Sequence, residues 1–164
     1  MRRDLSMCAV AALLVIAGVD GCHRRSLASR AGAQTPPDSV EGVVRVVGVE
    51  AASSTVLATD DGQPALVLSG TPLLSRVAGL RVAVLGKQDD RRFTVSRFAV
   101  IAANGVRAVD GRLTADGNGL VLVTPAGARY TVIGASSGLR ADVGHRVWIA
   151  GILDGQVVSY GVID

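Results

Sequence analysis

The feature that most constrains this chain is that it says one thing twice. Val77-Ala-Gly-Leu-Arg-Val-Ala-Val-Leu-Gly86 returns sixty-five residues later as Asp142-Val-Gly-His-Arg-Val-Trp-Ile-Ala-Gly151. At the same offset, Leu57-Ala-Thr-Asp-Asp-Gly62 is answered by Leu122-Val-Thr-Pro-Ala-Gly127, and Leu74 by Leu139. Val95–Ile101 is answered by Val157–Ile163 once a hairpin is shortened by three, and the opening Val40-Glu41-Gly42 by Val109-Asp110-Gly111. Self-similarity at a fixed period marks a duplicated structural unit.

Within each copy, short apolar runs are split by Gly, Asp, Asn and Pro, and none holds a 3.6-residue stripe for more than about two turns, so the pattern reads as a sandwich or barrel. Strands are expected near 42–49, 54–60, 64–69, 80–86 and 92–101, with a helical turn or loop over 71–78. The second copy should repeat them near 107–114, 118–124, 128–134, 145–152 and 156–163. Five strands with a connector between the third and fourth is the order of an OB-fold. The expectation is therefore an all-β chain of two tandem five-stranded OB-like small barrels, residues 40–103 and 104–164, formed by an internal duplication. Alternation points Val82, Val84, Val147 and Ile149 inward, with Ala83 and Trp148 the other way. Gly79 and Gly144 stand at strand entrances where a positive φ is expected. A unit of about 60 residues buries only about 60% of its unfolded surface, so the two should pack together.

Ahead of the repeats, Arg2 and Arg3 precede an uncharged apolar run from Met7 to Val19 and then Cys22. That is the layout of an export signal, and the run falls short of the roughly twenty residues of a spanning helix. Val19-Asp20-Gly21-Cys22 resembles the lipobox of bacterial lipoproteins, with Asp20 as a departure from it. The resemblance implies that residues 1–21 are a lipoprotein signal peptide, that Cys22 carries the lipid, and that residues 22–39 are a flexible tether. An ordinary cleaved signal would instead leave Cys22 as a free thiol, and an uncleaved run would itself be the anchor. His23 after the cysteine implies an outer-membrane destination facing the periplasm. The tether HRRSLASRAGAQTPPDS would reach roughly 20 to 25 Å as a flexible coil. Its Arg24, Arg25 and Arg30 would each add about 1 kcal/mol of attraction to an anionic membrane surface.

Most of the net charge of +3 belongs to these leading segments, because from Val40 onward twelve Arg and Lys face eleven Asp and Glu, a difference of only +1. With Cys8 in the signal and Cys22 lipidated, no thiol remains for a disulfide or a thiolate metal site.

The domain from Val40 onward resembles bacterial envelope lipoproteins with tandem OB-like β-barrel repeats. The resemblance rests on the G-x-[VL] openings, the L-x₄-G-x-R-V-x-[VI]-x-G entrance to the fourth strand and the V-x-x-[FY]-x-V-I ending. It speaks to fold, since small barrels carry many unrelated functions.

Reactive groups are scarce. His145, Asp142 and Ser136-Ser137 offer the raw materials of a triad, but their order matches no nucleophile motif, and a turn histidine is the plainer reading. Gly86-Lys87 follows an apolar strand and forms no phosphate loop. Asp60-Asp61, Asp89-Asp90 and Asp116-Gly-Asn-Gly119 read as turn chemistry and supply too few oxygens for calcium. The aromatic residues are Phe93, Phe98, Tyr130, Trp148 and Tyr160, too few and too scattered among basic residues for nucleic acid. Phe98 and Tyr160 share a repeat position and read as core or interface packing. Trp148 replaces Ala83, which places it either between the units or on a ligand face with Tyr130, Arg146 and Arg129.

No enzyme, cofactor or metal site is expected. The reading is a membrane-anchored accessory module that contacts an envelope protein or a glycan through an edge strand or barrel face. The alternative is an oligosaccharide or small-ligand binder using Trp148, Tyr130, Arg146 and Arg129.

Overall fold

The computed structural model describes residues 38–49 and 52–164. The expected signal peptide, Cys22 and the expected tether as far as residue 37 lie outside the described residues. No helix among those described is long and apolar enough to cross a membrane.

The chain is all-β, and its ten strands join one hydrogen-bonded sheet with a ring of strands in it. The first copy supplies β1 (Asp38–Val47), β2 (Ser54–Ala58), β3 (Leu66–Ser69), β4 (Arg81–Asp89) and β5 (Arg92–Ala103). β1 pairs antiparallel with both β2 and β4, β2 with β3 and β4 with β5, while β3 pairs with β5 in parallel. The path β1-β2-β3-β5-β4-β1 therefore closes on itself. A 3-10 helix, Pro72–Val77, bridges β3 and β4 as expected, its start capped by the Thr71 hydroxyl accepting from the Leu73 N–H at 3.3 Å.

The second copy supplies β6 (Val106–Asp116), β7 (Gly119–Val123), β8 (Arg129–Val132), β9 (Arg146–Ala150) and β10 (Ser159–Val162). Its pairings run β8-β7-β6-β9-β10, the same path in the same order. The shared stretch does the same work twice. Gly79 and Gly144 both take positive φ, +86° and +96°. Their N–H groups donate to Val44 and Leu113 carbonyls at 2.8 Å each, and these residues' own N–H groups bond back to Leu80 and His145. This close reciprocal pair docks the connector onto the first strand of each copy, and only a residue free to take positive φ makes the turn without a steric penalty.

Several elements differ from expectation, β3 and β8 among them being shorter. β1 begins at Asp38 inside the expected tether, because β4 runs on to Asp89 and gives Asp38 and Ser39 partners at Gly86 and Leu85. The connector of the second copy is a short α-helix, α1 (Ser137–Ala141), where the first copy has a 3-10 helix, and the Ser136 hydroxyl caps it by accepting from the Leu139 N–H at 3.2 Å. β9 and β10 are shorter than expected, because Gly151, at φ +84°, turns the chain into a 3-10 segment, Ile152–Asp154.

Two apolar clusters form. The first gathers Val44, Leu57, Leu68, Leu74, Val82, Val84 and Phe93 inside the ring; the second gathers Leu113, Leu122, Leu139, Val147 and Ile149. The sheet β6-β9-β10 serves both. By strand alternation, Val109, Val147, Ile149 and Val162 join the second cluster, while Ala108, Trp148, Ala150 and Ile163 join the first. A polar outer face, the usual arrangement for an antiparallel sheet with one face in water, is thus replaced by a second apolar face. The described residues accordingly form one compact unit.

Candidate functional site

Two places depart from what a plain duplication would produce: the joint between the copies and the far edge of the second copy.

The joint begins as a hairpin. Asn104 and Gly105 both take positive φ, +50° and +80°, as a two-residue turn matched to the strand twist requires. β5 and β6 then pair at only two positions, Ala103 with Val106 and Ala102 with Arg107. Beyond them the strands part, and the exposed edge of β5 would leave backbone groups without partners. Side chains from the second copy fill in. The Val100 N–H donates to Asp110 Oδ1 at 2.8 Å, and Arg146 Nη2 donates to the Phe98 carbonyl at 2.8 Å. Arg146 closes the motif by donating to Asp110 Oδ2 from Nε at 2.8 Å and from Nη2 at 2.5 Å. Its guanidinium also stacks 4.4 Å from the Phe98 ring centre, a placement that suits a planar, weakly hydrated cation. The Asp110 side chain is only 1% exposed, so the carboxylate is a structural latch. Among the described residues, no buried side-chain nitrogen or oxygen lacks a partner.

The far edge is the reverse case. In the first copy, the ring closes where Val67–Ser69 meet Arg92–Thr94, and the Val67 N–H donates to the Arg91 carbonyl at 2.8 Å. The matching stretch of the second copy falls on the turn after Gly151, so no strand pairs with that edge of β8, and the 3-10 segment Ile152–Asp154 lies beside β8 instead. Thr124 donates to the Ala128 carbonyl, and with the register Leu122 to Tyr130 and Leu120 to Val132, the alternation of an antiparallel ladder aims the backbone of Arg129 and Thr131 away from β7. Arg129, Thr131 and Ile133 are all exposed there, Ile133 at 61%.

The four residues expected to share a ligand face are divided between these places. Tyr130 is half-buried against the second cluster, and Arg129 beside it pairs with Asp116 at 3.0 Å. On β9, Arg146 turns inward to Asp110, and Trp148 packs against the first cluster with its ring over Gly161. Trp148 therefore sits where the two copies meet. Sequence reasoning used Asp110 only as a marker of the repeat; an acid alone among Ala108, Val109 and Gly111 was the available signal.

Among the residues weighed for catalysis, Ser136 is a helix cap and His145 Nδ1 lies 3.5 Å from Asp164 Oδ1. Among the described residues no group of three His, Cys, Asp or Glu is placed to hold a metal. Several exposed carboxyls are held below their ordinary values. Asp60 is lowered by its hydrogen bond and charge pairing with Arg81, and Asp61 by the Thr59 hydroxyl and the Gln63 N–H. Burial pushes the Asp164 carboxyl up, but the Arg146 N–H at 2.7 Å and the neighbouring His145 together outweigh it and leave the group below its usual 3.8.

A carboxylate with a depressed native pKa contributes stability that is complete above the unfolded value and lost as pH falls through the native one. Asp164→Asn should therefore lower the melting temperature at neutral pH and flatten its decline between about pH 5 and pH 2. Melting curves by circular dichroism across that range check this, and an unchanged acid limb would show that the carboxylate contributes nothing.

Set against known proteins, the chain matches no family model, no curated protein and no solved structure.

Proposed function

We propose that this protein is a noncatalytic binding module, anchored through a lipid on Cys22 to a bacterial envelope membrane, in which two OB-like units made by duplication take different roles. The first unit is the scaffold. The second, left open, offers the β8 edge to an extended segment of an envelope protein, which would add a strand to it. The observation that carries this reading is the outward backbone of Arg129 and Thr131, which has no strand beside it although its counterpart in the first copy is paired. Natural proteins usually shield such edges. At four residues β8 is short, which limits promiscuous pairing while leaving room for a matched partner. The anchor reading rests on the lipobox resemblance at Val19–Cys22, and the outer membrane facing the periplasm on His23.

Two experiments test it. The intact mass of the membrane-fraction protein from a bacterial host should correspond to a chain beginning at Cys22 plus acyl groups, and Cys22→Ala should lose that species; an unmodified soluble chain would remove the anchor. For the edge, a photo-cross-linking residue at position 133 should capture an envelope protein in living cells. Thr131→Pro removes an outward N–H without touching the β7 ladder, so it should cut that capture about tenfold while the melting temperature stays within a few degrees. Capture that survives the proline would sink the edge-strand reading.

A further inference from the structure

The parting of β5 and β6 also opens a cleft of about 400 Å³ between the outer face of the β4–β5 hairpin and the start of the second copy. On that outer face Ala83 stands opposite Ala99, and Leu85 opposite Arg97, with Ile101 next along. The facing wall is Val109 with the turn Thr124-Pro125-Ala126. A hairpin face turned to water would ordinarily alternate toward polar residues, and a contiguous apolar patch left open on a soluble domain signals a ligand or a partner. Two charged side chains line the cleft. Asp110 is already neutralised by Arg146, whereas Arg97 is exposed at the rim and enters no salt bridge among the described residues.

We propose that this cleft binds one aliphatic chain ending in a carboxylate, a fatty acid, with the chain lying along Ala83, Ala99 and Val109 and the head group on Arg97. Apolar walls with one convergent charge are the usual composition of a small-ligand site, and a guanidinium meets a carboxylate through two parallel hydrogen bonds. The paired alanines shape it: their small side chains leave a trough along the hairpin face, and a volume of about 400 Å³ suits one aliphatic chain, which two chains of a phospholipid would overfill. Ser39, at the start of β1, also lines the cleft. The site depends on neither the anchor nor the β8 edge.

The test uses the full chain and a palmitate analogue carrying a diazirine in its tail. Irradiation should attach the probe to peptides containing residues 83–85 and 97–101, and excess palmitate should compete it away. Ala99→Phe fills the trough from an exposed position, so the fold should be kept, as circular dichroism would show, and labelling should fall at least tenfold. Arg97→Ala should cut labelling by the carboxylate about five- to tenfold, the scale of one partly exposed charge-assisted contact, and leave labelling by the matching fatty alcohol unchanged. Adducts scattered over the surface, or full labelling of Ala99→Phe, would overturn the site. Equal loss of acid and alcohol in Arg97→Ala would overturn the role given to the guanidinium.

Discussion

Asp110→Ala is expected to destabilise the protein by about 3 to 5 kcal/mol, the scale for removing one partner of a buried ion pair. The carboxylate is 1% exposed, and three groups depend on it at once: Arg146 through two nitrogens and the Val100 N–H. Without it, a guanidinium only 23% exposed loses its counter-charge, and a backbone donor is left with no acceptor. Asp110→Asn keeps the shape and one acceptor for Val100, so it should cost less. The double variant Asp110→Ala with Arg146→Met separates the two contributions. An isolated buried ion pair can be replaced by apolar side chains at little cost; here the Val100 N–H and the Phe98 carbonyl stay unpaired, so about 1 to 3 kcal/mol should remain. Urea unfolding of the four proteins measures all of this. A double variant as stable as the parent would show that the β5 edge needs no latch.

Phe93→Ala should cost about 3 to 5 kcal/mol, as for an aromatic side chain deleted from a close-packed core. Phe93 is fully buried and sits opposite Leu68 where β3 and β5 close the ring. The loss should be local as well as global. Amide exchange at Val67–Ser69 should speed up by far more than at β6 or β9, because those strands are held by the second cluster. Uniform acceleration everywhere would mean that the ring and the second copy unfold as one. The second copy lacks this side chain: the matching place, by the shortened hairpin, falls at Gly155 in the turn, so nothing is available to plug a closed ring there.

Much of the fold was legible because a duplicated β-unit repeats its constraints. The spacing of Gly79 and Gly144 from Arg81-Val82 and Arg146-Val147 located both connectors and both fourth strands, and alternation put Val82, Val84, Val147 and Ile149 in the cores. Trp148 was recognised as a place where the copies differ. Less legible were the elements whose form depends on a neighbour. The helical form of α1 carries no periodic signal of its own over five residues. The extension of β1 to Asp38 followed from the length of β4, which no local pattern in Asp38-Ser39 announces.

The candidate site shows the same division. Tyr130, Arg129, Trp148 and Arg146 are near one another in pattern, yet β8 and β9 are not neighbours in the sheet, so their side chains serve different surfaces. Arg146 illustrates the point: in sequence it is the twin of Arg81, and both stand at the head of a fourth strand. Arg81 pairs with the exposed Asp60, while Arg146 turns to the buried Asp110 because β5 of the other copy lies across from it.

By itself the sequence determined that the chain is all-β, that one unit is written twice, and the order and rough place of its strands, because these follow from local chemistry: turn residues, alternation and a repeated glycine. Only the tertiary structure decided that the first ring closes while the second path stays open, and that Asp110 and Arg146 fasten one copy to the other. A hairpin three residues shorter turns at Gly151 before a strand can pair with β8, and an acid becomes a latch only when the β5 edge and an arginine 36 residues further on are both brought against it. Those outcomes depend on distances between segments that no single segment records.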